Sequence, residues 1–318
     1  MNTTPESPAG KLLIADIGGT HARLALAAPG SAEPLGERRY LCADFPGPEP
    51  ILADFIAHSG TAIAAGCLAV AGPVGDDGRR ARLTNLPWII DADALAGRLG
   101  IGRLRLTNDF AAAAMGITVT PTETLVPLQA GRPLPLAPKL VVGAGTGLGM
   151  AILVFHGDRW LVVPGEGGHT GFSPQDEAQA RLWQVLKNEY GRVTAERVVS
   201  GPGLSEIHRI LSGRRMTPAA IAGAALDGSD AAARRSVDMF LSAYGSFASD
   251  MALAVMARGG VFLAGGIAAK LLPLLADSPF LESFRAKAEH AALAADMPVA
   301  VATDASLGLR GAAVLAAN

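Results

Sequence analysis

Two apolar strands joined by a glycine turn that carries a threonine occur twice in this chain, and that repetition limits its fold more than any other feature. Lys11 to Ile17 reads as a buried strand, Gly18-Gly19-Thr20 as a turn and His21 to Ala27 as the returning strand. Leu140 to Val142 repeats the pattern, with Gly143-Ala-Gly-Thr-Gly-Leu-Gly149 as the turn and Met150 to Phe155 as the return. The copies suggest two structurally related halves, although the identity between them is thin. A third glycine turn, Gly265-Gly266, follows the apolar run Val261 to Ala264. The chain holds 38 glycines. Glycine weakens ordinary helices and strands, so such an excess needs a cause.

Strand and helix patterns alternate through both halves, which points to an α/β class. Gly66 to Ala71 is an apolar run, Asp91 to Leu99 a helix and Arg103 to Leu106 a short strand. Thr107 or Asn108 can then cap a helix running to about Met115. Thr120 to Pro138 is proline-rich with little periodicity and reads as the passage between domains. Ser173-Pro174-Gln175-Asp176 reads as a cap with proline at the first helical position. The helix it opens places Leu182, Leu186 and Tyr190 on one face and stops at Gly191. Ser236 to Arg258, Ile267 to Leu275 and a closing stretch from about Leu307 are the other helical candidates. With 318 residues and roughly 150 per domain, about two domains are expected: a small one over 1–119 and a large one over 120–302.

Half of the residues are hydrophobic (50%) and 18% are charged, ample for buried cores. The net charge of −2 comes without a basic stripe, so neither nucleic acid nor an anionic membrane is expected as a partner. Met1 to Gly10 lacks the pattern of a signal peptide. Leu140 to Phe155, the best uncharged stretch, is interrupted by glycines and is a poor membrane helix. Cys42 and Cys67 match neither a zinc ribbon nor a redox pair, and read as two reduced thiols in a cytoplasmic protein. The histidines never form a His-Glu-x-x-His pattern, which argues against a zinc hydrolase.

A glycine-rich turn lets backbone N–H groups meet phosphate oxygens, because no Cβ blocks the approach. Neither common nucleotide fingerprint fits. The Gly10-Lys11 pair has no P-loop spacing, and the third position of a dinucleotide fingerprint falls on Leu148 or Met150. A phosphate-contacting hairpin fits the alternating glycines better, and a tight hairpin without ligand is the competing reading of each turn alone. Asp16 sits at the mouth of the first turn, where a carboxylate can serve Mg²⁺ beside substrate phosphates or merely initiate the turn.

Three further segments offer groups for a polyol. Asn108 and Asp109 end a strand and open a helix. They can grip adjacent hydroxyls, and an Asp kept ionised by the helix dipole can accept a hydroxyl proton; they can equally be caps. In Pro164-Gly-Glu166-Gly-Gly-His169, glycines flank a carboxylate and a histidine and leave room for a ligand. Glu196 is a glutamate early in a helix, a commonplace on its own.

Together, Ala15-Asp-Ile-Gly-Gly-Thr20, Leu106-Thr-Asn-Asp-Phe110, Gly143 to Gly149, Pro164 to His169, Ala195-Glu-Arg-Val-Val-Ser-Gly-Pro-Gly-Leu204 and Val261-Phe-Leu-Ala-Gly-Gly-Ile267 resemble, in order, the motifs of the bacterial ATP-dependent glucokinases of the hexokinase/actin-like ATPase superfamily. The resemblance implies a two-domain, ribonuclease H-like fold with a cleft, the small domain being completed by a C-terminal helix over 303–318. It implies Asp109 as catalytic base for the sugar 6-hydroxyl, with Asn108, Glu166, His169 and Glu196 on the other hydroxyls. Ala15, Asp16, Ile17, Gly18, Gly19 and Thr20, with Gly145, Thr146 and Gly147, would embrace the ATP phosphates. Gly265 and Gly266 would lie near adenosine, and Asp16 would hold Mg²⁺ through water.

Two departures stand out. Family members often carry Asn after Gly-Gly-Thr, where this chain has His21; one polar contact near the phosphates is thereby left unassigned. The Cys-rich zinc motif of the related repressor/kinase group does not follow His169, so no zinc is expected. The implied partners are a small-molecule sugar and a nucleotide, and a homodimer stays open as an alternative to a monomer. A kinase for another hexose or amino sugar (mannose, fructose, an N-acetylated sugar) also stays open. A non-catalytic sugar sensor is not expected, since ten residues before Lys11 are too few for a helix-turn-helix.

Overall fold

Residues 10–317 are described by a computed structural model, so the reading of Met1 to Gly10 falls, Gly10 apart, outside the described residues. Two compact units divide the chain: one runs to Pro121 and resumes at Asp304, the other is Thr122–Thr303.

In the first unit the strands are β1 (Lys11–Ile17), β2 (His21–Ala27), β3 (Leu35–Leu41), β4 (Ile63–Val70), β5 (Arg80–Arg82), β6 (Ile89–Asp91) and β7 (Arg103–Asn108). Its main sheet has the order β3-β2-β1-β4-β7, while β5 and β6 form a separate ribbon. β1, β4 and β7 run parallel, and β2 is antiparallel to both β1 and β3. The sequence explains the order. Leu12, Leu13, Ile14, Ala15 and Ile17 are all buried, as a central strand covered on both faces requires. β3, reading Leu-Gly-Glu-Arg-Arg-Tyr-Leu, is a largely exposed edge whose charges discourage pairing with another chain. The parallel strands end level: Ile17 pairs with Val70, and Val70 with Asn108. The Gly18–Thr20 turn, the loop at Gly72 and the start of the helix Asp109–Gly116 therefore leave one edge of the sheet together. The carboxyl ends of parallel strands are where open α/β sheets bind ligands.

Glycine also lets helices touch backbone to backbone. The C-terminal helix Leu307–Ala317 crosses Asp109–Gly116 so closely that a Cβ on Gly311 would lie 1.7 Å from the Ala112 carbonyl oxygen. On the partner helix, a Cβ on Gly116 would lie 2.1 Å from the Leu307 oxygen.

The second unit repeats the design. Its strands are β8 (Leu125–Gln129), β9 (Lys139–Ala144), β10 (Leu148–His156), β11 (Arg159–Gly165), β12 (Gly260–Ala264) and β13 (Val299–Ala302). The order β11-β10-β9-β12-β13-β8 is that of the first sheet with one strand added. β10 is antiparallel to β9 and β11, while β12 is parallel to β9 and β13. The halves inferred from the two threonine turns thus share a strand order. The core lies under the long helix Ala231–Val255, where Phe240 and Tyr244 are fully buried. The Tyr244 hydroxyl donates to the Val142 carbonyl at 3.2 Å.

Several expectations need correction. The stretch 120–138 is not only a passage: Leu125–Gln129 pairs antiparallel with β13 at the sheet edge, the position in which a strand tolerates Pro127. The helix expected from Ser173 begins at Glu177, because Asp176 accepts the Gln179 N–H at 2.7 Å and is the actual cap. Tyr190 is exposed rather than packed, with the Arg197 guanidinium 4.3 Å from its ring centre. The long helix begins at Ala231, capped by Asp230, and ends at Val255. β7 continues to Asn108, and the second glycine turn shrinks to Gly145–Gly147 because Gly143, Ala144, Leu148 and Gly149 pair across β9 and β10. Both cysteines are free and buried. Among the described residues no helix is long and apolar enough to cross a membrane.

Candidate active site

The first unit's part of the candidate site is built on the level ends of β1, β4 and β7. The Gly18 N–H donates to the His21 carbonyl at 2.9 Å, closing the hairpin with Gly19 and Thr20 at its tip. Gly19 lies against Asn85, whose Cβ would be 2.9 Å from a Cβ at Gly19. Ala15 and Ile17 have buried side chains, and their strand is paired on both sides. They carry the turn and offer no side chain to a ligand.

Asp109 begins its helix at the end of β7. Asn108 is the cap: its Oδ1 accepts the Phe110 and Ala111 N–H groups at 2.9 and 3.2 Å, and its Nδ2 donates to the Gly72 carbonyl at 3.4 Å. The capping role is therefore realised, with both ends of the amide engaged. The Asp109 carboxylate accepts the Phe110 N–H at 2.8 Å. Its pKa nevertheless rises from 3.8 to about 6: burial is the main cause, the charge of Asp16 adds to it, and the Phe110 N–H opposes. Burial thus outweighs the helix terminus expected to keep Asp109 fully ionised. Asp16 is itself held above the usual carboxylate range by burial, with Arg23 opposing across the β1–β2 pair.

In the second unit the Gly145 N–H donates to the Gly147 carbonyl at 2.8 Å and the Gly201 N–H to the Gly145 carbonyl at 2.8 Å. Thr146 is exposed at the tip. Glu196 sits beneath this turn: its Oε2 accepts the Leu148 N–H at 2.8 Å and would lie 2.6 Å from a Cβ on Gly147. Because β12 runs parallel to β9, with Ala264 opposite Gly143, the third glycine turn leaves the same edge. Gly265 has φ +87°, and a Cβ there would lie 2.8 Å from the Ala144 oxygen, so Gly265 brings the helix Gly266–Leu275 up beside the threonine turn.

Glu166 and His169 face solvent, with Glu166 Oε2 3.6 Å from His169 Nδ1. The glycines between them have a packing reason that the sequence did not disclose. A Cβ on Gly168 would fall 2.2 Å from the Leu148 oxygen, and one on Gly167 would fall on the Met150 sulfur. The loop is pressed flat on β10, and that leaves the side chains of Glu166 and His169 outward. Within each unit the expected residues come together: Asp16 with Asp109, and Glu196 with Gly147. Gly72 and Asn85 join the first group, and no spacing in the sequence marks either.

The family model described as Glucokinase matches residues 13–318. A glucokinase of Nostoc punctiforme is 37% identical over 339 aligned positions, covering 96% of this chain and 99% of the relative. This chain belongs to the glucokinase family. Its activity is accordingly that of a hexose kinase. A glucokinase crystal structure from an Antarctic psychrotroph superposes with TM-score 0.87 at 30% identity, covering 96% of this chain and 98% of that one. The Balamuthia mandrillaris glucokinase, solved in complex with glucose, gives TM-score 0.80 at 24% identity, covering 98% and 96%. The glucokinase fold is the two-domain actin-like ATPase fold, and the repeated strand order described above is its sheet in duplicate.

Proposed function

We propose that the protein transfers the γ-phosphoryl group of ATP to the 6-hydroxyl of D-glucose, with Asp109 as the base. The observation that carries this reading is the position of Asp109, a largely buried carboxylate at the level edge formed by Ile17, Val70 and Asn108. A base that titrates near 6 is mostly deprotonated at neutral pH and still basic enough to take a proton. In the step, Asp109 accepts the 6-hydroxyl proton as that oxygen bonds to the γ-phosphorus. The bond from phosphorus to the β,γ-bridging oxygen breaks, and ADP leaves with its electron pair.

The remaining assignments follow the motifs. Asn108, Glu166, His169 and Glu196 orient the other sugar hydroxyls. The backbone N–H groups of Gly18–Thr20 and Gly145–Gly147 receive phosphate oxygens, and Gly265 and Gly266 lie by the adenosine. The unit ending at Pro121 is taken as the small domain and Thr122–Thr303 as the large one.

Mg²⁺ suits the first group, where two acids lie close enough for the charge of one to raise the pKa of the other. A divalent cation relieves that repulsion, and a single carboxylate with waters and phosphate oxygens is a normal Mg²⁺ shell. Asp16 would hold it through water, and the ion would offset charge on the transferring phosphoryl group. Among the described residues no three His, Cys, Asp or Glu side chains form a cluster that could hold a metal alone.

The test is ADP release in a coupled assay with glucose, mannose, fructose and N-acetylated sugars, and with ATP, ADP or polyphosphate as donor. Glucose with ATP should give the highest kcat/KM. A higher value for another sugar reassigns the substrate, and turnover by Asp109→Ala at the wild-type rate refutes the base.

A further inference from the structure

The long helix Ala231–Val255 presents Ala243, Ser246, Phe247, Asp250 and Met251 along one face, the spacing of a helical stripe. Facing them is the segment Thr170 to Ser173, which follows directly from His169. That segment is tied to the residues just before Glu196. The Ala195 N–H donates to the Thr170 carbonyl at 2.9 Å, and the Phe172 N–H donates to the Val193 carbonyl at 3.0 Å. Between the two walls lies a cavity of about 190 Å³. Thr170 and Ser173 are exposed while Phe172, Ala243, Ser246 and Phe247 are buried, so the cavity leads from the surface into the core. None of Glu166, His169 and Glu196 lines it. It adjoins their loop all the same, since the Met251 sulfur would lie 3.3 Å from a Cβ on Gly167.

The lining decides what the cavity can hold. Asp250 is its one ionisable side chain, and the Lys287 ammonium lies 2.5 Å from Asp250 Oδ1. The same ammonium donates to the Ser246 carbonyl and hydroxyl oxygens, both at 3.3 Å. An ammonium has three protons, so all of Lys287 is spent and no cation is left for a ligand anion. The pair is neutral in sum. Among the described residues no hydrogen bond engages Asp250 Oδ2 or takes the Ser246 hydroxyl proton, so one acceptor and one donor are left side by side. Phe172, Phe247 and Met251 supply apolar surface around them. A few convergent polar groups on an apolar lining suit a ligand that carries hydroxyls and an apolar face. A cavity of roughly 150 Å³ already admits a six-membered ring, so this one can take a pyranose.

We propose that this cavity is a binding site for an uncharged monosaccharide, separate from the site of phosphoryl transfer. The second unit would then hold sugar on both sides of the segment that links His169 to Phe172.

The experiment is equilibrium dialysis of the full chain with labelled glucose and no nucleotide, comparing wild type with A243L and S173W. Both substitutions fill the cavity, one from the helix and one from the exposed rim. Wild type should bind one glucose more per chain than either variant, while the Kd of the glucose that remains stays within about twofold. Unlabelled mannose should displace the glucose that the variants lose, and glucose 6-phosphate should do so at least about tenfold less well, for want of a free cation. Equal glucose binding by wild type and both variants overturns the proposal, and displacement by glucose 6-phosphate as good as by mannose overturns the ligand class. Should A243L fail to fold, S173W decides alone. If the wild type phosphorylates no hexose, the proposed function fails, and the difference in bound glucose still reports on the cavity by itself.

Discussion

The charge of Asp16 reaches Asp109 from the other side of β4 and helps burial hold the Asp109 carboxyl at about 6. Asp16 lies one residue before the end of β1 and Asp109 directly follows β7, the two strands that flank β4, so their coupling is a property of the sheet and not of either loop.

Asp109→Asn should lower kcat by about 10² to 10⁴, the usual worth of a general base. Glucose binding, measured by calorimetry, should survive. In the wild type kcat/KM should fall as pH drops through about 6, because protonation disables the base. A pH-independent rate between 5 and 8 would remove Asp109 from the role.

The same residue should cost stability. Its folded pKa of about 6 lies above the ordinary 3.8, so the folded state binds this proton more tightly than the unfolded chain. The stabilisation is complete below the unfolded value and is lost as pH rises through about 6. Asp109→Asn should therefore be more stable than wild type at pH 8, by on the order of 2 kcal/mol. The difference should shrink toward pH 4. Thermal melts across that range decide it.

Replacing Asp16 by Asn removes the like charge and should lower the Asp109 pKa in the ligand-free protein. Carboxyl carbon NMR titration reads it directly. An unchanged titration would mean that burial alone sets the value. In the kinase assay the same variant should need more Mg²⁺ for half-maximal rate.

Gly147→Ala should drive the new methyl into the Glu196 carboxylate and disturb the turn and the glutamate together. Nucleotide and glucose KM should then rise in parallel. Thr146→Ala, at the exposed tip, should raise the nucleotide KM alone. A rise confined to the nucleotide in Gly147→Ala would separate Glu196 from the sugar.

Two glycine substitutions should have opposite signs. Gly311→Ala places a methyl 1.7 Å from the Ala112 oxygen and should destabilise by about 1–3 kcal/mol or more. Gly97, within the helix Ala92–Leu99, has open space where its Cβ would be, and Gly97→Ala should stabilise by about 0.5–1 kcal/mol. Denaturant unfolding of both variants checks the pair.

Elements set by local pattern were legible in the sequence. β1 and β2 have the expected limits, because an uninterrupted apolar run meets turn residues, and the closing helix begins at Leu307 rather than at 303. β8 was not legible: Pro127 hides it, and its partner β13 lies far along the chain. The start of the helix at Glu177 turned on which of two good caps, Ser173 or Asp176, was used. For the candidate site, residue types in order pointed to Asp109 and Glu166 as candidates, since chemistry of that kind is carried by side-chain identity. The elevated pKa of Asp109 needs burial, which only the folded sheet supplies. The bond from Leu148 to Glu196 joins residues 48 apart, and no local rule reaches that far. Gly167 and Gly168 misled in the other direction, because room for a ligand and close packing on a strand demand the same residue.

The C-terminal helix has a consequence for synthesis. The second unit is one contiguous stretch, but the first lacks Leu307–Ala317, which packs on Asp109–Gly116, until that helix has itself left the ribosome. At about 5–20 residues per second, translating 122–306 takes roughly ten to forty seconds. Through that interval the nascent first unit exposes the seam that Gly116 shares with Gly311. A chain cut short before Leu307 should therefore be bound by chaperones and degraded, however well its second unit has folded.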